Sequence, residues 1–349
     1  MSVACPNGEL VPASNSSGFA GRVCRPFLLN SQNSDGGWGF HPDCDNAVEP
    51  TCWALAALSS YANTNRDSSH EESVRRGLKW LCDAQLADGS WPAVPAQRVG
   101  CWITSAACLT LDAGGYAPHQ VARGLQWLCD FWPAEGTAWW RLASKFRRKS
   151  SLVRQDASLR GWSWTQGAAS WVEPTSAALL ALNRSPAQSR RIAGAARRQS
   201  LGERMLYDRM CPGGGWNSGN PHVYGVAGVP RIGPTAWALL ALRQYRARSE
   251  NQMSLQWLRD SYGHIRGPLS LSLAHTCLTA YGKVMLPVGP ALEAMYSTNQ
   301  FLGSVASVAW AIMAVQTTPQ SVAILFGPSG PSPMIQAANS DASADRPPR

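Results

Sequence analysis

A two-part unit recurs along this chain, and it constrains the fold more tightly than any other feature of the sequence. Its most complete first part is RGLKWLCDAQLADGSW, residues 76–91. From Arg76 to Gln85 the apolar positions Leu78, Leu81 and Cys82, with Trp80 beside them, fall at helical spacing. Asp88-Gly89 is placed to end that helix, because glycine enters the left-handed backbone region without steric cost, and Trp91 follows as an aromatic anchor. The second part is a helix of small residues and leucine: VEPTCWALAAL (48–58), CWITSAACLTL (101–111), VEPTSAALLAL (172–182) and IGPTAWALLAL (232–242). Pro50 suits the first helical position, and Glu49 complements the positive end of the helix dipole.

Six copies can be followed. The first opens in truncated form as FLLNSQNSDGGW (Phe27 to Trp38). The third is split, with RGLQWLCDFW (Arg123 to Trp132) and GWSW (Gly161 to Trp164) on either side of a basic insertion at about 133–160. The fourth carries CPGGGW (Cys211 to Trp216), and two degenerate copies end at Gly282 and Val315. A helix pair cannot bury its own apolar faces, so neighbouring copies must stack. Twelve helices closing on themselves give an all-α fold, an (α/α)6 toroid; the repeats alone leave an open solenoid as the alternative. First helices carry Arg76, Lys79 and Asp83 and belong outside, whereas the Ala/Leu helices belong inside. The 16 Trp supply core material, and Trp38, Trp91 and Trp216 are expected to staple their own repeats. This organisation predicts a flexible leader over 1–18, one repeat domain over 19–318 and a disordered Pro/Ser/Ala tail over 319–349.

Charge and cysteine usage narrow the functional classes. The net charge of +9 is concentrated in residues 138–160, where Trp139, Trp140, Leu142 and Phe146 interleave with Arg and Lys, and in a second run from Arg184 to Arg209. Such runs are usually solvated faces; the sharper expectation for 138–160 is peripheral contact with an anionic membrane. No nucleic-acid motif accompanies the charge, and PGGGW at Pro212 to Trp216 is no phosphate loop because no Lys-Ser/Thr follows it. The ten Cys include no CxxC pair and are expected to be reduced. With no apolar run of membrane-spanning length and no basic, hydrophobic start, a cytoplasmic protein is expected.

The pattern of residues 76–91, a basic residue and Gly, two residues, an aromatic and an aliphatic, three residues, Gln, a spacer, Gly, one residue, Trp, resembles the QW repeat of the prenyltransferase and squalene-hopene cyclase superfamily, the superfamily of the class II terpene cyclases. The resemblance covers about residues 20–316. It implies the toroid, and an isoprenoid or terpenoid lipid as ligand. Class II terpene cyclases protonate an alkene or epoxide with the middle acid of a DxDDT motif at an inner-helix start. Aligned on the Thr, this chain offers Ala47, Val48, Glu49, Pro50 and Thr51, so that Glu49 takes the acid's position while Ala and Pro replace the flanking carboxylates. Glu173 does the same in repeat three, and His41, Asp43 and Asp45 stand close to Glu49 in sequence. Trp53, Trp164, Trp171, Trp237 and Trp310 are candidate pocket aromatics, since aromatic faces stabilise carbocations.

Three functional readings follow. The first is a terpene cyclase-like protein binding, or cyclising, a polyprenyl or triterpenoid-type substrate without cofactor. The second is a non-catalytic toroid scaffold holding a lipid or a partner protein. The third is a zinc-dependent prenyltransferase-like enzyme, to which His275-Thr276-Cys277 corresponds; the Asp-x-Cys partner is absent, Arg231, Ile232 and Gly233 standing there, so no metal is expected.

Overall fold

The computed structural model describes residues 18–61, 68–137, 140, 155–156, 158–283 and 285–328. The leader up to residue 17, almost all of 138–157 and the tail beyond 328 lie outside the described residues. After a short π-helical turn (Ala20–Cys24), the helices are α1 Arg25–Asn30, α2 Val48–Tyr61, α3 Ser68–Asp83, α4 Thr104–Ala113, α5 Pro118–Asp130, α6 Val172–Arg184, α7 Ala195–Asp208, α8 Ile232–Ala241, α9 Ser249–Ser261, α10 Pro268–Ala280, α11 Gly289–Asn299, α12 Val305–Val315 and α13 Pro319–Phe326. A two-stranded antiparallel hairpin, β1 His222–Val223 and β2 Val226–Ala227, precedes α8.

The even-numbered helices form a closed inner ring. Each packs on the next in the order α2, α4, α6, α8, α10, α12, and α12 returns to α2. Their N-terminal ends lie together: the amide of Val48 donates to Ala93 O, Trp102 to Trp164 O, Val172 to Ser218 O and Val305 to Phe40 O, each bond linking the loops before neighbouring inner helices. Each odd-numbered helix from α3 to α11 packs outside the inner helix that precedes it. The composition accounts for the sorting: inner helices such as α4 and α8 are buried along nearly their whole length, while α3 is buried only at His70, Ser73, Gly77 and Leu81.

Four inner-helix threonines and four loop tryptophans repeat one bonding scheme. The amides of Trp38, Trp91, Trp162 and Trp216 donate to the hydroxyls of Thr51, Thr104, Thr175 and Thr235, each at 2.9 Å. The indole N–H groups of the same tryptophans donate to Leu28 O, Leu81 O, Leu128 O and Leu206 O at 2.6–2.8 Å. The next outer helix must approach the indole closely, which only glycine permits: a Cβ on Gly77 would stand 2.6 Å from Trp38, and one on Gly124 or Gly202 would stand 2.8 Å from Trp91 or Trp162. Copies are also tied sideways, Gln32 bonding Ser73 O and Gln85 bonding Gln120 O, while Arg76 and Arg123 each donate to two carbonyls of the preceding loop.

Three expectations need correction. The helix of repeat two stops at Asp83 rather than at Gly89, whose positive φ of 92° serves a turn closed by its amide on Leu86 O. The predicted tail begins with a helix instead: α13 opens with a capping box between Thr318 and Ser321 and buries Val322 and Phe326, features that its Pro-rich surroundings conceal. The second basic run is only partly a solvated face. Arg198 is buried, lies 4.0 Å over the Trp162 ring and donates to Phe131 O and Gly161 O, and Arg184 pairs with Asp112 at 2.8 Å.

Candidate functional site at the inner-helix starts

Registering the inner helices on their threonines puts Glu49, Trp102, Glu173 and Gly233 at equivalent places, two residues before Thr51, Thr104, Thr175 and Thr235. Because α2, α4 and α6 are consecutive in the ring, the order around the mouth is carboxyl, indole, carboxyl. Burial pushes the Glu49 carboxyl above its ordinary range, and a hydrogen bond from Trp53, one turn further along α2, acts in the opposite direction. Burial raises the Cys52 and Cys101 thiols, and the nearby Glu49 charge adds to both shifts. Glu173 is likewise raised by burial; its Oε1 accepts from Ser218 at 2.6 Å and its buried Oε2 has no hydrogen-bond partner. His41, Asp43 and Asp45 are not drawn into this arrangement: His41, Asp43 and Asp45 are exposed, and none of them contributes to the shift on Glu49.

The five tryptophan candidates divide into two groups. Trp53, Trp237 and Trp310 come from α2, α8 and α12, and their rings meet at 5.2–6.0 Å, with Phe326 of α13 against Trp237 and Trp310. Since α2 and α8 stand opposite one another in the ring, contact between Trp53 and Trp237 means that indoles fill the hub at this level, where the sequence suggested an open cavity. Trp164 and Trp171 remain at the mouth. Trp164 packs edge-on to Trp102 at 5.0 Å, and Trp171 is 37% exposed. Trp102, Cys101 and Ser218 were missed as site residues, although the threonine register alone exposes Trp102. The mouth is also unusually apolar: the loops before the inner helices expose Phe40, Val99, Tyr224, Val229 and Leu302.

Among the described residues no group of three His, Cys, Asp or Glu could hold a metal ion, and His275 bonds the Tyr262 hydroxyl at 2.9 Å as a core histidine. The nine described cysteines are free thiols, seven of them buried. Among the described residues no helix is long and apolar enough to cross a membrane.

No family model matches the chain. Segments are similar to curated cyclases: 84 residues are 36% identical to drimenyl diphosphate synthase of Streptantibioticus cattleyicolor, covering 24% of this chain and 15% of that protein. Another 76-residue match is 32% identical to squalene–hopene cyclase of Zymomonas mobilis, covering 19% of this chain and 11% of that protein. The matched segments therefore span 15% or less of the length of these relatives. Among solved structures, a protein from Actinoplanes superposes with a TM-score of 0.54 at 16% identity, covering 85% of this chain and 98% of that one. A type II terpene cyclase from Scytonema, solved with its product merosterolic acid A, gives 0.51 at 12% identity, covering 86% and 96%. The closed double ring of helices is thus the α/α-toroid fold also seen in a type II terpene cyclase, and short segments of the chain are similar in sequence to two further cyclases.

Proposed function

We propose that the chain, as a single toroid over about residues 19–318, takes a polyprenyl or terpenoid-type lipid at the mouth of its inner ring and that Glu49 delivers a proton to it. The observation that carries this reading is the place of the Glu49 carboxyl, desolvated at an inner-helix start one turn before Trp53, whose ring belongs to the indole hub. Burial raises the affinity of the Glu49 carboxyl for its proton, and Trp53, one helical turn away, acts in the opposite direction by favouring the carboxylate. Cationic character developing in the lipid would then face Trp102, Trp164 and Trp171, with Glu173 as the second acid on the arc. The exposed apolar loops support a lipid as the incoming molecule. Without flanking carboxylates to strengthen it, Glu49 is better matched to an epoxide oxygen than to an isolated alkene. Peripheral attachment to an anionic membrane rests on residues 138–160, nearly all of which lie outside the described residues.

The filled hub favours a second reading, a toroid that holds a lipid without converting it, because Trp53, Trp237 and Trp310 occupy the space into which a long substrate would fold. The test compares the wild type with Glu49→Gln on linear polyprenyl substrates and their terminal epoxides, with products read by mass spectrometry. Cyclised product from the wild type alone supports proton donation. Equal turnover removes Glu49 from the chemistry, and equal binding without product leaves the holding role.

A further inference from the structure

The short turn Arg243–Tyr245, which follows α8, is pinned on both sides by neighbours distant in sequence. On one side the buried Arg243 guanidinium donates to the carbonyls of Phe326, Gly327 and Pro328 at the end of α13. Arg184, at the end of α6, donates to Ala323 O and Ile324 O. Cations suit this end of a helix, and the two guanidiniums hold α13 against α4, α6 and α10 at the end of the ring opposite the mouth. From there Phe326, fully buried, reaches the rings of Trp237 and Trp310 and closes the base of the hub. The same helix walls a cavity of about 620 Å³ beside the C-terminal ends of α2, α4 and α12.

On the other side, Gln244 and Tyr245 hold Glu203 of α7. Glu203 is 7% exposed; its Oε1 accepts from Gln244 Nε2 at 2.6 Å and its Oε2 from the Tyr245 hydroxyl at 2.8 Å. Among the described residues no ion pair reaches it. The titratable groups that face it are Tyr207 on its own helix and Tyr245 on the turn. Arg248, just before α9, lies 4.0 Å over the Tyr207 ring and is paired with Glu250 of α9 at 2.8 Å. The facing part of α6 offers the neutral Asn183, bonded to Gln199. A buried carboxylate with two neutral donors and no cation is strongly penalised once it loses its proton.

We propose that Glu203 is a proton-operated latch for α13: protonated, it keeps the turn Arg243–Tyr245 seated and α13 closed, and on ionising it draws the turn towards water and lets α13 lift. Arg243 is the link, because it adjoins Gln244 in the chain and carries the α13 carbonyls with it. Lifting withdraws Phe326 from Trp237 and Trp310 and joins the cavity to the base of the hub. Burial pushes the Glu203 carboxyl from 4.5 up to about 7, so the extra stability of the closed form is complete below pH 4.5 and is lost as pH rises to about 7.

Hydrogen exchange read by mass spectrometry on the full chain tests the latch, with the protection of residues 319–328 corrected for the intrinsic effect of pH. These residues should exchange at lower protection than α4 and α8 at every pH, as a local opening requires. Between pH 5.5 and pH 8 their protection should fall about 30-fold, the ratio produced by a carboxyl at 4.5 when open and about 7 when closed. Glu203→Gln, which cannot ionise, should hold α13 at one level of protection across that range. Tyr245→Phe removes one donor to the carboxylate and should move the loss of protection to higher pH. Protection that does not change with pH in the wild type overturns the proposal, as does a fall of equal size in Glu203→Gln. Protection of 319–328 equal to that of α4 and α8 also overturns it, because α13 then leaves only with the whole fold. An unmoved transition in Tyr245→Phe does the same, since the turn is then not the link. None of these outcomes depends on Glu49 or on a bound lipid.

Discussion

Replacing Thr104 by valine isolates the bond on which the repeat geometry turns. Thr104 and Trp91 are both fully buried, and the Trp91 amide donates to the Thr104 hydroxyl at 2.9 Å. Valine keeps the shape of threonine and removes the acceptor, leaving a buried N–H without a partner at a cost of about 1–3 kcal/mol. Serine keeps the acceptor and deletes one methyl group, worth about 0.8 kcal/mol plus whatever small cavity remains. The order expected in urea denaturation, followed by tryptophan fluorescence and circular dichroism, is therefore wild type, then Thr104→Ser, then Thr104→Val. Thr235 makes the same bond to Trp216 two inner helices away, so the losses in a Thr104→Val/Thr235→Val double variant should add to within about 0.5 kcal/mol. A valine variant as stable as the wild type, or more stable than the serine variant, would refute the claim that the hydroxyl rather than the packing sets the register.

Other perturbations report on different parts of the ring. Glu203 is buried between Tyr245 and Gln244, and burial raises its carboxyl from 4.5 to about 7. Between those pH values the unfolded chain releases a proton that the folded chain retains, so stability should fall by about 3 kcal/mol as pH rises through the window and level off above it. Glu203→Gln should flatten that slope, and a slope unchanged in denaturation curves from pH 4.5 to 7 would assign it elsewhere. Arg243 is buried and donates to Leu240 O, Phe326 O and Gly327 O; Arg243→Gln should free α13 and cost about 2–4 kcal/mol, read as early proteolytic cleavage after Thr318. Gly77→Ala drives a methyl group into Trp38 and should lower stability by at least about 1–3 kcal/mol, with a matching change in near-ultraviolet circular dichroism.

The sequence discloses the ring because its determinants are local and repeated. Helical periodicity, the Ala/Leu helices and the loop tryptophans recur at fixed offsets, so six helix pairs and their inside–outside order can be read before any contact is known. The hub could not be read in this way. Trp53 and Trp237 lie far apart in sequence and on opposite inner helices, and only ring closure shows that their side chains meet rather than line a void. The burial of Arg198 also depends on distant chain, since Trp162, Phe131 and Gly161 come from segments flanking the basic insertion. At the mouth, Glu49 and Glu173 were visible as motif residues, but their raised carboxyls arise from desolvation that sequence spacing does not report. Helix α13 was obscured for a simpler reason: its Thr318 and Ser321 form a capping box and its Pro319 opens the first turn, and composition alone does not distinguish a cap from a linker.

The indoles at the hub bear on how this architecture gains or loses an interior. Six helices in a circle cannot all touch at the axis, and here the leftover space is taken up by three rings from α2, α8 and α12. Those rings act as removable stoppers on a preformed shell, because the helices that carry them are positioned by threonines and loop tryptophans elsewhere. Trimming Trp53 to a smaller residue would hollow the shell directly beneath Glu49, so a few such exchanges could turn a solid drum into a reaction vessel without redrawing a single helix.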